Sequence, residues 1–171
     1  MNLSCLPMQQ EQGKHIHNNE LSLFMDDIKL GSYSCIKNEL DKVEHIKLYR
    51  NEGGALFEAM RIARHIQRND ITVTSYGRCI SACTLILFAS PEPAITNLSV
   101  IGSHQTNLDQ SILFSPISFA MNRAKQSILK NTNRDIDFNY YNSVIDNTDF
   151  KNIHIHTEEA LLKSNLITMK L

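Results

Sequence analysis

The sequence predicts a single α/β domain, with a mainly parallel sheet built from βα repeats and a helical C-terminal third. Short apolar or β-branched runs alternate with segments whose apolar residues recur every three or four positions, an order typical of a parallel sheet covered by helices. The 171 residues, of which 42% are apolar and 20% charged, suit one domain with its own core rather than two. We find no internal repeat or low-complexity linker, so we place this domain over residues 20–171 and expect 1–19 to be poorly structured.

The first half of the chain predicts two strand–helix pairs. Segment 20–27 is a short apolar run that indicates a strand, and 31–43 has apolar residues at helical spacing behind a serine cap, Ser32 or Ser34. Segment 45–50 alternates apolar and polar residues, as a strand does. The helix after it is the clearest one, because its apolar residues form a stripe along one face: Leu56, Ala59, Met60, Ala63 and Ile66.

The second half first continues this alternation and then becomes helical. The proline-containing segment 90–96 predicts a loop, and residues 105–111 look loosely structured. The other expected elements, in chain order, are a strand (71–76), a turn (79–81), a buried helix (82–89), a strand (97–104), three helices (115–128, 135–146 and 157–168) and a short closing strand.

Charge and hydropathy exclude two classes of partner. The net charge is −1 and no basic run reaches five residues, so nucleic acid and anionic membranes have little electrostatic attraction for the chain. The longest apolar run, around 84–89, is far below the roughly 18 residues that span a bilayer. We therefore expect no nucleic-acid partner and no transmembrane segment. Because the N-terminal residues contain no continuous apolar stretch, we also expect no secretion signal.

Histidine pairs raise the question of a metal site. His15 and His17 form one H-x-H pattern, and His154 and His156 form another; on a strand, each pair would share one face. No third ligand is evident beside either pair, so solvated strand ends are the simpler interpretation. We expect no metal and no cofactor.

Four cysteines are too few for a disulfide scaffold, but two of them are close together. Cys79 and Cys83 lie four residues apart and would be neighbours on one helical turn. They can be buried small residues, form a disulfide or be redox-active. No second close pair completes a tetrahedral metal site.

Three predicted strands are followed by residues that suit acyl transfer. Gly53 and Gly54 come after one strand, Ser81 after the next and His104 after a third, and parallel α/β domains place their sites beyond the carboxyl ends of strands. A serine hydroxyl becomes a nucleophile when a base such as histidine takes its proton. The oxyanion then needs backbone N–H donors, which glycines and a helix N-terminus at Ala82 can supply.

These residues also carry a family resemblance. The segments "LYRNEGGALFEAMRIARHI", "TSYGRCISACTLILFAS", "VIGSHQ" and "HTEEALLKSNLIT" resemble the Clp protease proteolytic subunit and its crotonase-fold relatives in order and spacing, over roughly residues 21–168. Within that group, the C-x-S-A-C pattern resembles Clp-like bacterial proteins often predicted to be periplasmic. The turn "RNEGG" departs from the family pattern because it lacks the family's proline.

The resemblance implies a role for each site residue. Ser81 would be the nucleophile and His104 the base, and Gly53, Gly54 and Ala82 would form the oxyanion region. For the third member of the triad, the family's aspartate position falls on Asn152. We favour Asp149, three residues earlier, because an asparagine cannot stabilise an imidazolium by charge, and Asp146 is the third choice.

Three functions are consistent with this sequence. The first is a Clp-like serine hydrolase, a peptidase that acts on peptides or proteins through an acyl-enzyme. The second is an inactive Clp-like protein that serves as an oligomeric scaffold or binding module, and the third is a crotonase-type enzyme acting on an acyl-CoA. The resemblance also implies a homo-oligomer. It favours the periplasm, whereas the missing signal favours the cytoplasm.

Overall fold

The computed structural model describes residues 13–17, 20–24, 28–105, 116–149 and 151–171. Within them, the chain forms a mixed α/β fold around one curled sheet. The strands are β1 (Gly13–His17), β2 (Glu20–Phe24), β3 (His45–Asn51), β4 (Thr72–Ile80), β5 (Pro93–Ile95), β6 (Val100–Ser103), β7 (His154–Ile155) and β8 (Met169–Lys170). The helices are α1 (Ser32–Leu40), α2 (Leu56–Arg68), α3 (Ala82–Phe88), α4 (Pro116–Lys130), α5 (Phe138–Asn147) and α6 (Glu158–Lys163).

Strand β4 pairs with two different strands, β5 and β6, along the same edge, and this pairing determines where the candidate site lies. Parallel pairing joins β2 to β3, β3 to β4, β4 to both β5 and β6, and β5 to β8, while β1–β2 and β6–β7 are antiparallel. The first half of β4 pairs with β5, and its last residues pair with β6, where Ile80 faces Gly102. On the other edge, Asn51 of β3 faces Cys79. The residue after β4 therefore lies between the ends of β3 and β6.

Helices α2 and α3 bury the apolar side of this arrangement. The predicted stripe of α2 is realised, since Ala59, Ala63 and Ile66 are fully buried and Met60 nearly so. Every residue of α3 is buried, which is why its seven residues are almost all apolar. Burial of this kind stabilises a fold by about 25 cal/mol for each Å² of apolar surface removed from water. The two helices thus fix the position of the turn that joins β4 to α3.

The start of α1 differs from the prediction. Neither Ser32 nor Ser34 caps the helix; the N-cap is Gly31, whose φ of 86° is in the left-handed region that glycine adopts readily. The hydroxyl of Ser32 instead accepts a hydrogen bond from the N–H of Lys29, at 2.9 Å. The serine cap prediction is therefore wrong, because backbone geometry and not a side-chain acceptor starts this helix.

Three strand boundaries also differ from the expectation. Strand β4 continues through Cys79 to Ile80, because β6 pairs with its end, so the expected turn at 79–81 contracts to Ser81. The proline-containing loop holds the three-residue strand β5, which opens on Pro93. Strand β1 lies inside the segment that we expected to be poorly structured. Residues 106–111, expected to be loose, lie outside the described residues.

Candidate active site

Ser81 has a backbone conformation that serine rarely adopts. Its φ is 57° and its ψ −124°, a combination that costs on the order of 1–3 kcal/mol and is concentrated at functional sites. The surroundings hold it there: its N–H donates to the carbonyl of Gly102 at 2.8 Å. Its own carbonyl accepts from the N–H of Thr84 at 3.0 Å and from the Thr84 hydroxyl at 2.7 Å. Ser81 thereby forms a sharp elbow at the N-terminus of α3.

Gly53 leaves the space that this elbow needs. A Cβ on Gly53 would lie 2.7 Å from the Cβ of Ser81 and 3.0 Å from the backbone nitrogen of Ala82, closer than side chains pack. The φ of Gly53, 96°, also favours glycine. Its N–H donates to Oδ1 of the buried Asn51 at 2.9 Å, so this donor already has a partner.

Gly54 fits closely against a different segment. It forms an isolated parallel bridge with Ile28, and a Cβ at this position, where φ is 118°, would collide with the carbonyl of Ile28. Among the described residues, its N–H has no hydrogen-bond partner, unlike that of Gly53. Only a glycine therefore allows the chain to turn here and leave that N–H available.

A disulfide encloses the elbow. Cys79 at the end of β4 and Cys83 in α3 are bonded to each other, with their Cα atoms 5.3 Å apart and both side chains fully buried. Ser81 is the middle residue of the five that this bond closes into a ring. Cys35 is also disulfide-bonded. Of the possibilities that the sequence left open for Cys79 and Cys83, the structure has the disulfide.

Ser81 and His104 line the same cavity. Its volume is about 510 Å³, within the range of small-molecule sites. Gly54 and Ala82 also line it, so the expected nucleophile, base and two of the three oxyanion residues are brought together. The three parallel strands that end at this edge of the sheet explain the convergence, since His104 follows β6 directly.

The hydrogen bond of His104 defines which nitrogen is basic. Its Nδ1 lies 2.5 Å from the backbone carbonyl oxygen of Gln105. A carbonyl only accepts, so in the neutral imidazole this contact favours the tautomer with the proton on Nδ1 and the lone pair on Nε2. Within the described part of the chain, no hydrogen bond joins Nε2 to Ser81 Oγ. Such contacts are often long in a protein without substrate and shorten when substrate binds.

Asp149 and Asn152 lie in a turn beyond this cavity. The Asp149 side chain is exposed and its Oδ1 accepts from the N–H of Lys151 at 3.0 Å, while its carbonyl accepts from the N–H of Asn152 at 2.9 Å. Neither residue lines the cavity. The turn is nevertheless linked to the residue after His104: the N–H of Gln105 donates to the carbonyl of Thr148 at 2.9 Å, one residue before Asp149.

Two charged residues that line the cavity, Lys125 and Glu52, were not predicted from the sequence. Lys125 is 95% buried, since its relative exposure is 5%, and burial lowers its pKa to about 8, an effect that Asp146 partly opposes. A signal existed, because Lys125 falls four residues after Met121 on the buried face of α4. Glu52 also lines the cavity, and Arg78 donates two hydrogen bonds to it, of 2.8 and 3.1 Å. This pairing lowers the pKa of Glu52.

A buried histidine, His156, connects α5 to β6, the strand that His104 follows. His156 Nε2 lies 2.9 Å from the hydroxyl of Ser103, and its Nδ1 lies 2.8 Å from the hydroxyl of Tyr140. Burial, with a smaller contribution from His154, lowers the pKa of His156 to about 4. The imidazole is therefore neutral near pH 7. The interpretation of His154 and His156 as solvated residues of a strand end is wrong for His156, because only His154 is exposed.

Comparison with known proteins identifies the fold. No protein-family model and no curated protein matches the sequence. Among solved structures, a ClpP1 mutant from Listeria monocytogenes matches with a TM-score of 0.62, over 90% of this chain and 91% of that one, at 15% sequence identity. The chain has a ClpP-like fold. This confirms the expected resemblance at the level of a mixed α/β fold with a curled sheet. A similarity at 15% sequence identity shows the fold and nothing finer.

The structure also bears on membrane spanning. Among the described residues, none of the helices combines the length and the apolar character that crossing a bilayer requires.

Proposed function

We propose that this protein is a Clp-type serine hydrolase, a peptidase that cleaves peptides or proteins through an acyl-enzyme. The observation that carries the proposal is the elbow at Ser81, a serine with positive φ at a helix N-terminus, in the same cavity as His104. Strained backbone of this kind persists where the surrounding structure imposes it, and it is concentrated at active sites and ligand clamps. A serine that only started a helix would need no such conformation.

The proposed reaction uses His104 as base and then as acid. Nε2 takes the proton of Ser81 Oγ as that oxygen attacks the scissile carbonyl, and the resulting tetrahedral oxyanion is bound by backbone N–H groups. Nε2 then gives its proton to the leaving amine, which departs and leaves the acyl-enzyme. In the second half, His104 takes a proton from water, whose oxygen attacks the ester carbonyl. As the bond from that carbon to Ser81 Oγ breaks, His104 returns the proton to Oγ, and the carboxylic acid product leaves.

We assign the oxyanion donors to Gly54 and Ala82. Both line the cavity, and Ala82 is the first residue of α3, where N–H groups have no intrahelical partner. Gly53 has a different role. Its N–H donates to Oδ1 of Asn51, and the absence of a side chain at Gly53 leaves space for Ser81.

The third member of the triad remains a proposal. Asp149 is the carboxylate that we assign to the role, with Asn152 as the alternative, and the link from Gln105 to Thr148 supports a position near the base. In the arrangement described, the Gln105 carbonyl already orients the imidazole and sets its tautomer. It does so without the full negative charge that stabilises an imidazolium.

A non-catalytic scaffold is the second candidate. The observation that favours it is the neutral carbonyl on His104 Nδ1, where a triad has a carboxylate. A crotonase-type enzyme is less well supported, because the acid in the cavity, Glu52, is engaged by Arg78. Whether the protein is a hydrolase or a scaffold, we propose that it forms a homo-oligomer, as its ClpP-like fold suggests.

We propose the periplasm as the compartment. The disulfide between Cys79 and Cys83, together with the bonded state of Cys35, requires an oxidising environment to form and persist.

Peptide cleavage tests the proposed function. A mixture of peptides of diverse sequence is incubated with the wild type, with Ser81→Ala and with the exposed control Ser127→Ala, and new termini are identified by mass spectrometry. We expect the wild type and Ser127→Ala to generate the same new termini and Ser81→Ala to generate none. Cleavage that survives in Ser81→Ala would refute the assignment of the nucleophile, and an unchanged mixture with a folded wild type would favour the scaffold.

A further inference from the structure

The cavity of Ser81 and His104 contains a polar side chain, Tyr141 of α5, that the proposed chemistry does not use. Tyr141 is 4% exposed and lines the cavity. Among the described residues, nothing forms a hydrogen bond with its hydroxyl, and the oxygen is not fully enclosed by the protein. The hydroxyl of a buried tyrosine usually has a partner. A phenol that is left open at a cavity wall therefore indicates that a ligand supplies the partner.

The other polar groups of the cavity are already occupied or belong to the chemistry. Apart from the nucleophile and the base, each polar side chain that lines the cavity has a partner within the protein: Glu52, Thr84, Ser103, Gln105 and Lys125. Ser81 Oγ and His104 Nε2 are open, but the proposed reaction uses both. Tyr141 is thus the polar side chain of the described cavity wall with neither a protein partner nor a role in the chemistry.

This phenol offers a hydrogen bond to an acceptor. Burial raises the pKa of Tyr141, so the hydroxyl keeps its proton at neutral pH and donates it to an oxygen such as that of a carbonyl. Ile145, one helical turn further along α5, and Met121 of α4 line the same wall and are apolar. An apolar wall favours an uncharged acceptor, because a carboxylate would lose its hydration there.

Tyr141 lies on the side of the cavity that adjoins a second hollow between α4 and α5. This hollow has a volume of about 340 Å³, and Tyr141 and Ile145 line both spaces. Ser81 and His104 line only the first one. A ligand whose carbonyl lies at Ser81 therefore reaches the phenol with a side chain that extends away from the reacting atoms. A side chain with two methylene groups and a terminal carbonyl oxygen, as in glutamine, has this form.

We propose that the hydroxyl of Tyr141 donates a hydrogen bond to an uncharged acceptor at the end of a ligand side chain, so that the cavity selects glutamine-like residues beside the reactive carbonyl. An apolar side chain of the same shape would displace water from the phenol and leave the donor unpaired, which costs free energy. Selection at the reactive carbonyl rests on the proposed function. Binding of the side chain does not.

Ligand binding to the Ser81→Ala protein tests the inference without any turnover. N-acetyl-L-glutaminamide carries the acceptor, and N-acetyl-L-homoleucinamide has nearly the same shape with a branched alkyl end in its place. Kd values are measured by NMR titration, and the Kd of the apolar probe divided by that of the amide probe is the readout. We expect this ratio to fall roughly tenfold when Tyr141→Phe is added, because that substitution removes only the hydroxyl.

Two controls assign the effect. Tyr140→Phe removes the hydroxyl of the preceding residue, which bonds His156 and does not line the cavity, and it should keep the ratio of the parent protein. The α-amide of N-acetyl-L-glutamate, with a charged acceptor, should bind more weakly than the glutamine probe.

Four results would overturn the inference. They are a ratio that Tyr141→Phe leaves unchanged, a ratio that Tyr140→Phe lowers equally, tighter binding of the acid, and no binding of the glutamine probe to the folded protein.

The outcome is independent of the hydrolase proposal. A preference for the glutamine probe that depends on Tyr141, in a protein that cleaves no peptide, would support the inference and reject the proposed function. Peptide cleavage that depends on Ser81, with a Kd ratio that Tyr141→Phe does not change, would do the reverse.

Discussion

Ser81 illustrates at the scale of a residue how position and conformation combine. Its predicted role came from its place after a strand and before an apolar helix, whereas its φ of 57° is a property of the folded chain alone. Hydrogen bonds hold that conformation: the N–H of Ser81 donates to the carbonyl of Gly102, and Thr84 donates to the carbonyl of Ser81. The sequence therefore indicates which serine to examine, and the structure adds a physical reason to consider it activated.

His156 gives a pH dependence at the same scale. Its pKa in the folded protein, about 4, is below its ordinary value of about 6.5, so folding disfavours the charged form. The stability that it contributes is complete above about pH 6.5 and is lost as the pH falls towards 4. From these two pKa values, we expect the group to destabilise the fold by about 2 kcal/mol between pH 7.5 and pH 5.

Urea unfolding at those two pH values measures the effect. His156→Gln has no titrating group and should lose less stability on acidification than the wild type, by about 2 kcal/mol. His154→Gln, which removes the exposed neighbour, should behave nearly as the wild type does. Equal losses for the wild type and His156→Gln would contradict a neutral, buried His156.

At the scale of elements, the junction of β4 with α3 determines the geometry of the site. The disulfide from Cys79 to Cys83 spans this junction, and the β6 backbone at Gly102 binds its middle residue. Both constraints act on Ser81. We therefore expect the cross-link to support the strained conformation as well as the fold.

Removing the disulfide should affect both stability and reactivity. Closing a five-residue loop stabilises a protein by about 2 kcal/mol on the chain-entropy model, so the double variant Cys79→Ala/Cys83→Ala should unfold about that much more easily. Its Ser81 should also react with a fluorophosphonate at least about tenfold more slowly, because the elbow can relax. Unfolding in urea and the labelling rate measure the two effects. A variant that is less stable but labels at the wild-type rate would show that the disulfide does not position Ser81.

The elements also show where sequence patterns succeed and where they fail. Helix α2 follows from its apolar stripe because packing against the sheet requires that stripe. Strand β5 could not be predicted, since three residues carry no periodicity and the strand depends on neighbours far along the chain, β4 and β8. The start of α1 at Gly31 failed for a related reason, because a backbone φ leaves no mark on side-chain patterns beyond the glycine itself.

At the scale of the whole molecule, the ClpP-like fold accounts for the convergence of distant residues. Parallel strands β3, β4 and β6 end at one edge of the sheet, so Gly54, Ser81 and His104 meet although they are far apart along the chain. The order and spacing of these residues predicted that they would lie close together, as they do around the cavity. Lys125 was not predicted, because a lysine in a helical pattern is ordinarily solvated. The carbonyl of Gln105 has no side-chain signature at all, which is why the partner of His104 could not be read from the sequence.

The central claim is that the fold activates Ser81, and fluorophosphonate labelling read by intact mass tests it most directly. We predict one label on each chain of the wild type, lost in Ser81→Ala and in His104→Ala but kept in the exposed control His154→Ala. Asp149→Ala should slow labelling more than Asn152→Ala if the carboxylate completes the triad. A folded wild type that takes no label, or one whose labelling survives Ser81→Ala, would contradict the account.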